Sequence, residues 1–206
     1  MVCENCLGLV IISVSCIIIG ILLIEKYFEA KNKFTLYMII FFFITGVGFF
    51  LWFLSTDLVF GIYNDIETLL LIIGLLPQMV LLYFILAVYE VYLPIRVVLI
   101  VLSALFSILY LFVPSLDIYF FDPDLKLYPI ISSIIYIANI ILFILNWRTN
   151  NDLKSLFFSM GLALNLIAMI SGQFSEFIQG LLLIITSLVW IIGYSGLINR
   201  LDKLTQ

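Results

Sequence analysis

Few residues in this chain can do chemistry. Histidine is absent from all 206 positions, which removes imidazole triads, His-ligated zinc or haem, and imidazole pH sensing. Three cysteines remain: Cys3 and Cys6 in a C-x-x-C near the N-terminus, and Cys16 inside the first apolar run. Two thiols alone do not complete a metal site, so this pair reads as a terminus with free or paired thiols. The carboxylates cluster at the ends of the apolar stretches. Asn64-x-x-Glu67 has the spacing of a capping box. Glu90 stands beside Tyr89 and Tyr92 and within reach of Arg96. Glu67 and Glu90 are a membrane's width apart, which excludes a paired-carboxylate catalyst. Asp117, Asp122 and Asp124 share one segment but lack the EF-hand spacing and its glycine, so they read as an ordinary acidic loop. No Asp, Glu, Lys or Arg lies in the middle of any apolar stretch, which argues against a proton pump, a coupled transporter or a voltage sensor. A Ser or Cys nucleophile would lack its base. The expectation is a non-enzymatic protein with no metal and no cofactor.

What the interior offers is neutral. The candidate residues are Gly74, Pro77 and Gln78 in the third stretch, Asn139 in the fifth, Asn165 in the sixth, and Gln179, Thr186 and Trp190 in the seventh. Such groups either bond a neighbouring helix, at about 0.6 kcal/mol each, or line a small polar pocket. Pro77 removes the helix bond to the carbonyl of Ile73 and is expected to bend its helix near mid-membrane. Glu67, Gly74 and Gln78 recur at i, i+7 and i+11, so they share one face with that bend. The 74–78 turn is therefore the expected pocket or hinge. Ser13, Cys16 and Gly20 mark an inward face of the first helix, because small residues let membrane helices approach closely. Ser132, Tyr136, Asn139 and Asn146 form a polar stripe on the fifth.

These residues need helices to carry them. The chain is 65% apolar and only 11% charged, whereas a soluble domain is roughly 45–50% apolar. Seven stretches reach the roughly 20 residues that cross a bilayer: 7–28, 34–54, 65–90, 93–113, 128–147, 153–171 and 177–198. The expected architecture is an all-α seven-transmembrane bundle, one domain over 1–206, with too little chain outside the helices for a soluble catalytic domain. The net charge of −4 suggests no nucleic-acid partner. The N-terminus lacks the basic region and cleavage site of a signal peptide, so the first helix is expected in the mature protein. Lys26, Lys31, Lys33, Arg96, Arg148, Lys154, Arg200 and Lys203 fall on one side and only Lys126 on the other. The positive-inside rule then predicts a multi-pass cell-membrane protein with its N-terminus outside and its C-terminus cytoplasmic.

Segments two and three carry a family resemblance. Lys31-Asn32-Lys33 precedes a helix ending in Leu51-Trp52-Phe53-Leu54-Ser55-Thr56-Asp57, and the next contains Leu75-Leu76-Pro77 and closes on Ala87-Val88-Tyr89-Glu90. This resembles the seven-helix N-terminal region of prokaryotic sensor histidine kinases. The resemblance implies a sensing module, and with no PAS, HAMP or kinase segment in these residues it implies action through a membrane or cytoplasmic protein partner. Pro77-Gln78 is also similar to the dipeptide of PQ-loop and SWEET-type carriers, though here it stands in the third helix and is not repeated. An echo between segments 1–3 and 5–7, in which Tyr27 and Trp147 correspond, admits a 3+1+3 arrangement of the kind found in transporters. The function expected is a sensor or receptor-like module for a small or lipid-like ligand; the alternative is a small facilitative carrier or channel.

Overall fold

The computed structural model describes residues 3–56, 59–112 and 127–195. The acidic segment with Asp117, Asp122 and Asp124, and Arg200 and Lys203 near the C-terminus, lie outside the described residues. So do the side chains of Asn64 and Glu67, and with them the capping box.

Seven helices follow one another: α1 Cys6–Ala30, α2 Lys33–Ser55, α3 Tyr63–Val88, α4 Leu93–Phe112, α5 Leu127–Asn150, α6 Leu153–Ser171 and α7 Glu176–Tyr194. Among the described residues, five of them, α1, α2, α5, α6 and α7, contain spans long and apolar enough to cross a membrane. The polypeptide is a helical membrane protein. The gap expected between the first two stretches, 29–33, shrinks to Lys31 and Asn32, because α1 runs on to Ala30 and α2 starts at Lys33. Lys31 then takes a left-handed conformation, φ 47°, and its N–H closes the helix on the carbonyl of Tyr27. Asn32 caps the next helix by accepting from the N–H of Phe34 at 2.9 Å, the usual N-cap chemistry.

The α5–α6 turn repeats this construction. Asn151 is left-handed at φ 52°, and Asp152 accepts from the N–H of Lys154 at 3.2 Å. Asn151 follows Lys31 by 120 positions, and the same offset relates the flanking helices. The buried Ser15, Cys16, Ile19 and Leu23 of α1 fall on Ile135, Tyr136, Asn139 and Phe143 of α5, all buried. Met38, Ile39, Phe41, Phe42 and Thr45 of α2 fall on Phe158, Ser159, Gly161, Leu162 and Asn165 of α6, again all buried.

Among the described residues the helices close a ring in the order α1–α2–α3–α5–α6–α7, and α7 returns to α1. The fourth helix stays outside and packs on α3. The physical reason lies in its first ten residues, which hold no glycine and no neutral polar side chain. Membrane helices associate through small and hydrogen-bonding residues, not through apolarity alone. Its Ile95, Val97, Val98, Val101 and Leu102 are accordingly exposed.

Close approach holds the ring elsewhere. Ser13 donates to the carbonyl of Gly46 at 2.8 Å between α1 and α2. Ser13, Cys16 and Gly20 are all buried on that face. The first and seventh helices meet at Gly8 and Gly180, where a Cβ on Gly8 would lie 2.5 Å from the carbonyl oxygen of Gly180. The centre of the ring, toward the end that carries the Lys31 and Asn151 turns, is filled by rings. Phe143 and Phe158 are 4.6 Å apart between centroids, Phe41 and Phe158 are 5.2 Å apart, and Phe42 and Trp190 are 5.5 Å apart. Tyr194 packs edge-on against Phe42.

Candidate functional site

The polar candidates separate into one cluster and several outliers. Gln78 of α3 is buried, and Asn139 of α5 donates through Nδ2 to its backbone carbonyl at 2.9 Å and to its Oε1 at 3.2 Å. Tyr136, one turn away on α5, faces the Gln78 side chain as well. Asn165 of α6 donates from Nδ2 to the Tyr136 hydroxyl at 3.2 Å. Three consecutive helices of the ring are thus joined by one chain of neutral groups, Asn139–Gln78–Tyr136–Asn165. Tyr136 is not among the eight candidates; its place in the stripe with Ser132 and Asn139 is the signal that marks it.

The cluster is not saturated. Asn139 and Asn165 are both fully buried, yet the Oδ1 of each has no hydrogen-bond partner among the described residues. An amide carbonyl has two lone pairs, and leaving them bare in an apolar surround costs roughly 1–3 kcal/mol. Asn139 cannot turn without setting its oxygen against the carbonyl of Gln78. The Oγ1 of Thr45 on α2 is a third buried atom without a partner. Thr45 and Asn165 each stand twelve residues into their helices, about 18 Å from the turn at 1.5 Å per residue. Asn139 and Gln78 lie eleven and ten residues from the ends of theirs. These groups form a layer about midway along their helices.

The other candidates lie elsewhere. Gln179 is bonded near the far end of the bundle, where its Oε1 accepts from Asn5 at 2.7 Å. Thr186 donates to its own helix at Leu182. Trp190 belongs to the ring cluster and donates to the carbonyl of Phe158 at 3.3 Å. The helix of α3 is continuous through Pro77, which is buried. Gly74 is half-buried, and a Cβ on it would meet no atom within 4 Å; no neighbour demands its smallness. Cys3 and Cys6 are joined in a disulfide, and Cys16 is a buried free thiol.

The fold and this uncharged interior define a helical membrane protein with a neutral polar layer. Compared with protein-family models, characterised proteins and solved structures, the chain matches none.

Proposed function

We propose that this protein is a non-enzymatic, receptor-like membrane module that binds a small neutral ligand bearing hydroxyl groups at the α3–α5–α6 junction and signals through a partner protein. One observation carries the reading: two fully buried amide oxygens, on Asn139 and Asn165, stand without donors among the described residues, beside Gln78 and Tyr136. A hydroxyl or amide donor would satisfy them. An ionic ligand would find no countercharge in this layer, where every group is neutral.

The test is a thermal-shift titration of the purified full chain with alcohols, diols and monoacylglycerols. A binder at about 100 times its Kd should raise the melting temperature by roughly 5 °C. Asn165→Leu should abolish that rise. Its own melting point should stay within a few degrees of wild type, because the change removes one hydrogen bond together with one bare acceptor. A ligand-induced rise that survives in both Asn139→Leu and Asn165→Leu would sink the proposal.

The topology belongs to the same reading. All seven helices cross the membrane: α3 and α4 have 26 and 20 residues, about 39 and 30 Å at 1.5 Å each. The N-terminus is outside and the basic turns are cytoplasmic. The Cys3–Cys6 disulfide supports this, since such bonds persist on the oxidising side of a membrane. An impermeant maleimide added to intact cells should label Cys3 and Cys6 only after an impermeant reductant, and Cys16 not at all. Labelling that needs permeabilised cells would reverse the orientation.

A second reading has its own observation. The shared burial pattern and turn chemistry of α1–α2 and α5–α6, offset by 120, support a 3+1+3 repeat with α4 as the linker, an arrangement suited to a facilitative carrier. Liposomes containing the protein would then pass a solute, and Gln78→Leu would stop it.

A further inference from the structure

A second feature lies apart from the polar layer, on the outer flank of the bundle. Arg96 occupies the first turn of α4 and lines a cleft between α3 and α4 together with Leu82, Tyr83, Leu86 and Leu99. Its guanidinium carbon lies 5.4 Å from the centroid of the Tyr83 ring, within cation–π range. Its Nε is buried and has no hydrogen-bond partner among the described residues. Neighbouring Glu90 does not take that role: it is exposed at a left-handed turn, φ 55°. The backbone does not supply a rival anion site, since the N–H groups of Ile95 and Arg96 already bond the carbonyl of Tyr92.

A stacked guanidinium is a planar donor held in place, suited to a phosphate oxygen. The cleft itself holds only about 10 Å³, roughly one water, so no acyl chain enters it. Beside it, however, Val97, Val98, Val101 and Leu102 form an exposed apolar flank on α4. An anionic head at Arg96 and a hydrocarbon tail along that flank describe an amphiphile. The same end of the bundle carries Lys26, Lys31, Lys33, Arg148 and Lys154, which favour negative headgroups.

We infer that the α3–α4 cleft is a binding site for an anionic phospholipid, with the headgroup phosphate on the Arg96 guanidinium and one acyl chain along the outer face of α4. The cleft selects the lipid by charge at the head and holds it by apolar contact below. A free phosphate has the same head chemistry but gains nothing from the flank.

The experiment is native mass spectrometry of the full chain released from detergent, with phosphatidylglycerol and phosphatidylcholine supplied in equal amounts. Wild type should retain the anionic lipid over the zwitterionic one by about fivefold, the worth of one well-placed cation. Arg96→Gln should bring the ratio close to one. Leu99→Trp, which fills the cleft and leaves Arg96 intact, should lower it by at least half. Lys154→Gln, a charge change on the same end away from the cleft, should lower it less than Arg96→Gln does. Excess inorganic phosphate should leave the wild-type ratio unchanged. The site is refuted if Arg96→Gln keeps the preference, and the lipid assignment is refuted if inorganic phosphate displaces the lipid. Should Arg96→Gln not fold, Arg96→Lys replaces it: loss of the planar fork should lower the ratio, and an unchanged ratio again refutes the site.

Discussion

Gly8→Val is expected to unseat α1 from α7 and open the helical ring. A Cβ at position 8 would lie 2.5 Å from the carbonyl oxygen and 2.7 Å from the Cα of Gly180. Both are backbone atoms, so no side-chain rotation relieves the overlap. Position 180 is tight as well, though less so: a Cβ on Gly180 would stand 3.0 Å from the Cα of Asn5. Overpacking typically costs about 1–3 kcal/mol, and a rigid backbone partner places this case at the top of that range. The loss extends beyond one contact, since Asn5 reaches Gln179 across the same junction. Unfolding in mixed micelles of increasing SDS fraction would measure it. Gly74→Ala is the control: nothing lies within 4 Å of its Cβ, and alanine in a helix should be favoured by roughly 0.5–1 kcal/mol. If Gly8→Val unfolds no more easily than Gly74→Ala, the α1–α7 junction is misplaced.

Trp190→Ala is expected to have the second large effect, a loss of about 3 kcal/mol. The indole is fully buried and packs on Phe41, Phe42 and Phe158 of two other helices. It also lies directly on Gly161, where any Cβ would collide with it. In water such a truncation costs about 3–5 kcal/mol. In a bilayer the hydrophobic part shrinks, because lipid is as apolar as the core, and the lost packing contacts dominate. Hence the lower end of the range. Trp190→Phe keeps one six-membered ring but gives up the bond to the Phe158 carbonyl, about 0.6 kcal/mol, and the packing of the pyrrole half, so its loss should be smaller than that of alanine. The same SDS titration separates the two substitutions. Equal losses would mean that the N–H-bearing half of the indole, not the six-membered ring, holds this end of the bundle.

The polar layer shows how a candidate site can be half legible. Gln78, Asn139 and Asn165 stand out in the sequence as amides inside apolar runs, where a polar group needs a reason. That Gln179 and Trp190 belong to other neighbourhoods is not written in the same signal. A polar residue on an inward face has the same pattern whether its partner is a pocket, a cap or another helix. Gly74 makes the point from the other side: its spacing places it with Gln78, yet it meets open space.

The sequence by itself determined the seven helices, because seven apolar runs reach the length of a membrane span. It determined the inward face of α1 as well, since Ser13, Cys16 and Gly20 recur on one side. It left the Cys3–Cys6 pairing open, because a C-x-x-C is equally compatible with free thiols. Only the tertiary structure decided the order of the ring, and with it that Asn139 meets Gln78 and that Asn165 meets Tyr136. Periodicity specifies which face of a helix turns inward but not which helix receives it; that depends on the small residues of both partners at once, as at Gly8 and Gly180. The exclusion of α4 has the same cause. Its apolar sequence is as fit for the membrane as any other, but its first ten residues hold no glycine and no neutral polar side chain with which to grip the ring.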